Sequence, residues 1–479
     1  MAGSDLAPPN EEQLAQGNQH ERDEVESLQT VVFIQNATAR GIIETGLIVT
    51  GLVAILVLLP HGIFGDGANR FDALTQLLER GKIPGNQFSI VGPAFSIPFY
   101  LLGKLYMTPE WWCARYNVFV FAAGLLAMYF LLKDRIDRSL LRKFFLLLIA
   151  ASMFPNHLMA YYGEVFTAIS VAIGILMVIA RRSLSGWGVV ILGVVNTPAS
   201  MIGLGCVILQ RLLQERKLRY ILVLLIAGAF IVTEYTIRRG SFSISHYEGI
   251  PKFFNHTVMP YSGHIGFSYP FFFGLLSILF SFGKGLFFFA PGLLLPVRGL
   301  LRKVRPEMKI DFWAVYVLWI SFLIGLVLVY SPWWAWYGGW FWGPRFFLFA
   351  SIPASFAIAV RLHYRSPFLF VNLLTMGVLC LSMWVGINGA VYDQRGLDIC
   401  TAHNSALELL CHYTLEYSVL WHPFVINEKL TTTQAVYVGY SLIVFVYLAI
   451  PLFGELVNQV ILKTKDFGKI YLSVSSWHL

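Results

Sequence analysis

Asp66, Arg70 and Asp72 fall within seven residues, and Glu79, Arg80 and Lys82 follow in the same connector, in a chain that is only 13% charged. An aspartate at the end of an apolar segment can take a proton from a hydroxyl within hydrogen-bond reach. Arginine and lysine can neutralise a phosphate that departs with negative charge. Acid and cation side by side therefore suit group transfer from a phosphate-linked donor. Glu164, His246, Glu248, Lys284 and Arg345 are further candidates for the same face. Taken singly, each also reads as a solvated or paired structural charge. Asp66 departs most from that reading, because it sits beside a span in a glycine-flanked turn.

These residues need a scaffold, and composition names its class. The 479-residue chain is 57% hydrophobic, whereas soluble domains carry about 25% charged residues. Runs such as GLIVTGLVAILVLLP and SFLIGLVLVY recur, and transmembrane helices need about 20 such residues each. The expected fold is all-α, a polytopic helical membrane bundle. The net charge of +8 sits at span ends, where it orients the chain in a bilayer and gives no ground for a nucleic-acid partner.

Placing basic clusters on the cytoplasmic side predicts about twelve crossings. Residues 1–40 read as a disordered cytoplasmic tail, 41–456 as the membrane domain and 457–479 as a cytoplasmic C-terminal tail. The expected spans are 41–60, 113–132, 144–158, 164–180, a broken hairpin in 187–213, then 220–237, a span starting near Gly285, 312–330, 346–360, 368–387 and 435–456. The hairpin is inferred because both flanks are basic, 27 residues are too few for two full spans, and Asn196-Thr197-Pro198 interrupts the run. Residues 88–102, broken by Pro93 and Pro98, are expected to lie at the interface, as is Phe271 to Phe282.

Five cysteines, Cys113, Cys206, Cys380, Cys400 and Cys411, show no metal-like spacing. Cys400 and Cys411 share an outer loop, which leaves a disulfide open. His157, His246, His256 and His264 have no ligand spacing either, so neither metal nor cofactor is predicted, a divalent ion being left open. Trp333, Trp334, Trp336, Trp340 and Trp342 read as an interfacial aromatic belt or as a wall for a sugar or isoprenoid.

The stretch GDGANRFDALTQLLERGKIP, followed by FSIVGPAFSIPFYLLGKL, resembles the first outer loop of the membrane-embedded GT-C glycosyltransferase superfamily. The protein O-mannosyltransferase and the lipid A aminoarabinose or galacturonic acid transferase branches are the most similar. AYYGEVF resembles the family's second acidic position, LFSFGKGLFFFAPGLLL its glycine–lysine segment, and WWAWYGGWFWGPRFFLFASIP its GPR segment, all in order over residues 40 to 355. The resemblance implies inverting transfer of a sugar from a polyprenyl-phosphate donor to a lipid, glycan or protein acceptor. The reaction would occur at the outer face of a bacterial cytoplasmic membrane. It implies Asp66 as general base and Glu164 as its helper. Arg70, Lys284 and Arg345 would hold the lipid phosphate, and Asp72, Tyr161 and Trp336 are named as further substrate contacts. Rival readings are a transporter or flippase for a lipid-linked or anionic substrate, consistent with a broken helix, and a noncatalytic scaffold.

Overall fold

The computed structural model describes residues 36–181, 183–242, 266–303, 309–339, 341–364, 366–392, 407–426 and 429–475. Among them every regular element is helical, and a β-bridge joins Gly62 to Ala160. The main helices are α1 (Ala37–Leu58), α2 (Asp66–Arg80), α3 (Tyr116–Leu132), α4 (Arg138–Ala150), α5 (Glu164–Arg181), α6 (Leu184–Asn196) and α7 (Met201–Glu215). They continue as α8 (Tyr220–Arg239), α9 (Phe271–Phe280), α10 (Phe312–Tyr330), α11 (Ser351–His363), α12 (Leu369–Val391), α13 (Glu408–Tyr413) and α14 (Thr432–Ser475). Shorter turns connect them.

Seven described helices are long and apolar enough to cross a membrane: α1, α5, α8, α10, the run Arg345–His363 that ends in α11, α12 and α14. Their burial sorts them radially. Arg345–His363 is 89% buried along its apolar window, against 22% for α1. The GPR segment therefore enters the centre of the bundle, and α1 lies at its margin. Helix α4 is also central, buried almost throughout.

Several expectations change in detail. The third span begins at Arg138, not 144, because Asp137 caps α4 by accepting from the Ser139 and Leu140 amides. Two basic residues are tolerated inside the helix because each finds an acceptor: Arg142 reaches Glu44, and Lys143 donates to the Leu362 carbonyl at 3.1 Å. The crossing expected after Gly285 is not a regular helix. One helical turn (Leu286–Phe289) and a 3₁₀ turn (Pro291–Leu294) lead to the short helix Arg298–Lys303. Irregular backbone survives at membrane depth only when protein covers it. Here the 3₁₀ turn packs against α11 and α12. A methyl group on Gly292 would lie 2.3 Å from the Ala354 carbonyl oxygen. The last helix continues through residues 457–475, where a tail separate from the span was expected.

The hairpin has the expected form. Helix α6 stops at Asn196, Pro198–Ser200 turns as 3₁₀, and α7 starts at Met201. Helix α6 packs on α5, and α7 on α10, so neither short helix faces lipid alone.

Polar contacts fall at two levels. Glu44, Asp137, Arg142, Lys143 and His363 lie at the level of the basic span ends. Asp66, Arg70, Glu164, Asn196, Lys284 and Arg345 lie at the other.

Candidate functional site

Asp66 opens α2 and Glu164 opens α5. Each carboxylate thus lies at a helix N-terminus, where the backbone dipole favours negative charge. The connectors before the two helices run side by side: the Gly62 amide donates to the Met159 carbonyl at 3.0 Å, next to the Gly62–Ala160 bridge. That pairing brings residues about one hundred positions apart to one spot.

Arg345 joins them. Its Nη2 donates to Asp66 Oδ2 at 2.6 Å, and its Nε lies 3.9 Å from Glu164 Oε1. The arginine side chain is 9% exposed, that of Glu164 16% and that of Asp66 26%. The guanidinium lies 4.0 Å from the Phe341 ring centroid and 5.7 Å from that of Tyr162. Among the described residues, Arg345 Nε and Nη1 have no hydrogen-bond acceptor despite being buried. Leaving buried donors unfilled is costly, so the arrangement suits an anion that arrives from outside.

Arg70 lies one turn along α2 from Asp66. It is buried, and its Nη1 donates to the Ser89 carbonyl at 3.3 Å and to Asn196 Oδ1 at 3.4 Å. Burial pulls its pKa below the ordinary arginine value, while Glu164 and Asp66 oppose that shift. Gly163 permits this close approach, since a Cβ there would lie 2.8 Å from the guanidinium.

Asn196 is a residue that the sequence showed only as a helix break. Its Oδ1 also accepts from the Gly92 amide at 3.0 Å. Its Nδ2 donates to the Gly163 carbonyl at 2.8 Å and to Thr167 Oγ1 at 3.0 Å. The interruption at Pro198 leaves Asn196 at the end of α6, where its amide ties the first outer loop to the start of α5. Phe341 and Tyr162, packed edge to face at 5.1 Å, are the other site residues that sequence reasoning passed over.

The remaining candidates separate from this centre. Lys284 is 2% exposed and donates to the carbonyls of Gly339 (3.2 Å), Phe341 and Gly343 (3.0 Å). An ammonium has three donors, and all three are directed at backbone, so the group expected to hold phosphate holds a loop in this structure. Burial, and then the nearby Arg345 charge, lowers its pKa to about 7, with Glu408 opposing. Asp72 is exposed on another face of α2 and accepts from Gln76 at 2.7 Å. Tyr161 is buried, with its hydroxyl 2.6 Å from Ser96 Oγ and its ring against Phe71 and Tyr116. Trp336 is buried among Tyr269, Tyr337, His412 and Tyr413 and does not line an open wall. Tyr161 shares the wall of a small cavity with Arg70, Tyr116 and Tyr162, whereas Trp336 is enclosed by aromatic neighbours.

Trp342, also buried, donates to Asn388 at 2.7 Å. Cys411 is disulfide-bonded, and Cys113, Cys206 and Cys380 are free. Cys400, Trp340, His246, Glu248, His256 and His264 lie outside the described residues. Among the described residues no three of His, Cys, Asp and Glu group closely enough to hold one metal ion.

A groove of about 1930 Å³ runs along α6 and α8. Its lining includes Ile90, Val91, Leu192, Val223, Phe230 and Glu234. At its outer end the Ile90 amide donates to Glu234 Oε1 at 3.0 Å, two residues from the Gly92 amide that Asn196 holds.

No protein-family model and no curated protein matches the chain. A solved structure, ArnT from Cupriavidus metallidurans bound to undecaprenyl phosphate, is similar over 88% of this chain and 78% of its own, at 14% sequence identity and a TM-score of 0.47.

Proposed function

We propose that this protein is a membrane-embedded glycosyltransferase of GT-C type. It moves a sugar from a polyprenyl-phosphate donor to an acceptor hydroxyl at the extracytoplasmic face. The observation that carries the reading is the convergence of Asp66 and Glu164 on one buried arginine that has two unfilled N–H groups. The ordered motifs of the outer loops support the same reading.

In the proposed step the acceptor oxygen attacks the anomeric carbon and the carbon–oxygen bond to phosphate breaks. The electron pair leaves with the polyprenyl phosphate, and the configuration inverts. Asp66 takes the acceptor's proton. Arg345 and Arg70 offset the growing charge on the phosphate. The donor phosphate competes with Asp66 for Arg345, so donor binding loosens the carboxylate from its ion pair and frees it to act as base. Glu164 keeps Arg345 in place during that exchange. The groove along α6 and α8 would seat the isoprenoid tail, because its wall is mostly apolar along these helices and includes Val91 and Val195, next in sequence to Gly92 and Asn196.

The test uses purified protein in detergent with a panel of radiolabelled polyprenyl-phosphate sugars and acceptor lipids. Transfer with inverted anomeric configuration supports the proposal. Absence of transfer from every donor, together with substrate-dependent flux across vesicles, would favour the transporter reading and overturn this one.

A further inference from the structure

The site depends on a loop whose conformation is unfavourable for most sequences. Gly338, Gly339 and Gly343 have φ of +78°, +73° and +64°, a region that glycine enters readily and other residues rarely. Such a backbone turns several carbonyls to one side. Three of them, from Gly339, Phe341 and Gly343, converge on the Lys284 ammonium. Arg345 follows two residues later, with its own amide bonded to the Gly343 carbonyl at 3.1 Å and its guanidinium lying on the Phe341 ring. The loop that Lys284 gathers is thus the loop that carries and aims Arg345.

The lysine is itself held from behind. The Gly283 amide donates to the His412 carbonyl at 3.1 Å, and a Cβ on Gly283 would lie 2.2 Å from the Cys411 carbonyl oxygen. Helix α13 of the last outer loop therefore docks on the turn bearing Lys284. Glu408, on the same helix, is fully buried and 3.9 Å from His412. Its charge favours the lysine ammonium, Arg345 opposes it, and burial keeps His412 below its ordinary pKa.

We propose that Lys284 is a positioning residue: it clamps the backbone at Gly339, Phe341 and Gly343 so that Arg345 points at Asp66 and Glu164. This rests on reading Arg345 as the phosphate-binding group of the proposed transferase. It departs from direct phosphate binding by Lys284, because the ammonium has no donor to spare in this structure.

Two readouts test it. The first needs no substrate. Hydrogen exchange across residues 331–350 should quicken about tenfold in Lys284→Met, with α5 and α10 unchanged, and Lys284→Arg should restore most of the protection. If Lys284→Met loses protection in α5 and α10 as well, it has failed to fold, and Glu408→Gln decides. That variant should loosen the same loop by a smaller factor, and unaltered exchange would overturn the proposal.

The second readout is a double-mutant cycle on undecaprenyl phosphate binding. Lys284→Met should weaken binding about tenfold in the wild-type background and less than about twofold beside Arg345→Gln, since the two act as one unit. An equal loss in both backgrounds would mean that Lys284 touches the phosphate itself, and no loss in either would mean that it does nothing here. Failure of the wild type to bind any polyprenyl phosphate would sink the transferase reading, while the exchange result would still decide the clamp.

Discussion

Two pairings of carboxylate with arginine, near opposite ends of the bundle, differ in completeness. At the end that carries the basic residues of α4, Glu44 is 0% exposed. Its Oε1 accepts from Ser139 at 2.9 Å and Tyr447 at 2.8 Å, and its Oε2 accepts from Arg142 at 2.5 Å. Every strong demand of that carboxylate is met by protein, and the contact ties α1, α4 and α14 together. At the other end of the bundle Asp66 and Glu164 share Arg345, whose buried Nε and Nη1 have no acceptor among the described residues. A saturated pairing holds helices and has nothing left to offer a ligand. An unsaturated one costs stability and is ready to receive charge. The same residue types thus serve structure in one place and, in the proposed transferase, chemistry in the other.

Substitutions at the two arginines should break the comparison most visibly. Arg345→Gln is expected to lower turnover by about 10² to 10³, the scale of losing one preorganised donor at a developing anion. Its thermal midpoint should stay near that of the wild type. Arg142→Gln should do the reverse, leaving Glu44 buried without its cation at a cost of about 3–5 kcal/mol. A transfer assay and a melting curve on both variants check this. Loss of activity in Arg142→Gln at a temperature where it is folded would contradict the division.

Glu164→Gln should have a smaller effect, about tenfold on turnover or 1.4 kcal/mol, because it restrains Arg345 and does not itself take the proton. Steady-state kinetics would check it, and a loss as large as that of an Asp66 variant would exchange the two roles. Asn196→Ala removes bonds to Gly92, Gly163, Thr167 and Arg70. It should raise the donor dissociation constant a few-fold through Arg70, with a stability cost of about 1–3 kcal/mol. An unchanged dissociation constant would reduce the hub to packing.

The smallest effect is a pH dependence. Lys284 has a folded pKa of about 7 against an ordinary value of 10.5. Between those values the unfolded chain binds more protons than the folded one, so this residue's contribution to stability rises with pH, while the neutral amine keeps two of the three donors that hold the loop. The difference in thermal midpoint between wild type and Lys284→Met should therefore move in favour of the wild type from pH 7 to pH 9. The slope is at most about 1.4 kcal/mol per pH unit. A difference that stays flat would mean that Lys284 remains protonated throughout.

The outer cluster was legible in sequence because charge is scarce in this chain. Asp66, Arg70, Glu164 and Arg345 stand out against apolar runs, and the positive-inside pattern puts them on one face. The broken hairpin was legible from length and from Asn196-Thr197-Pro198. Less was legible where the partner is backbone. Lys284 reads as a free cation until three carbonyls are seen to surround it, and carbonyls leave no trace in residue types. Asn196 reads as punctuation for the same reason. The crossing after Gly285 looked like a span because hydropathy measures burial, which it has, and not helicity, which its two prolines and the packing around Gly292 interrupt. Trp336 and Tyr161 are aromatic at a membrane edge in either reading, and only the packing shows them buried.

The central claim is tested most directly by comparing Asp66→Asn with Glu44→Gln in one preparation, measuring single-turnover transfer from a prebound polyprenyl-phosphate sugar alongside thermal stability. The expected result is that Asp66→Asn loses about 10² to 10⁴ of the chemical step while melting like the wild type, and that folded Glu44→Gln transfers at the wild-type rate but melts earlier. Undiminished transfer by Asp66→Asn would contradict the account, because the proposed step gives the acceptor's proton to Asp66 and leaves Glu164 to restrain Arg345.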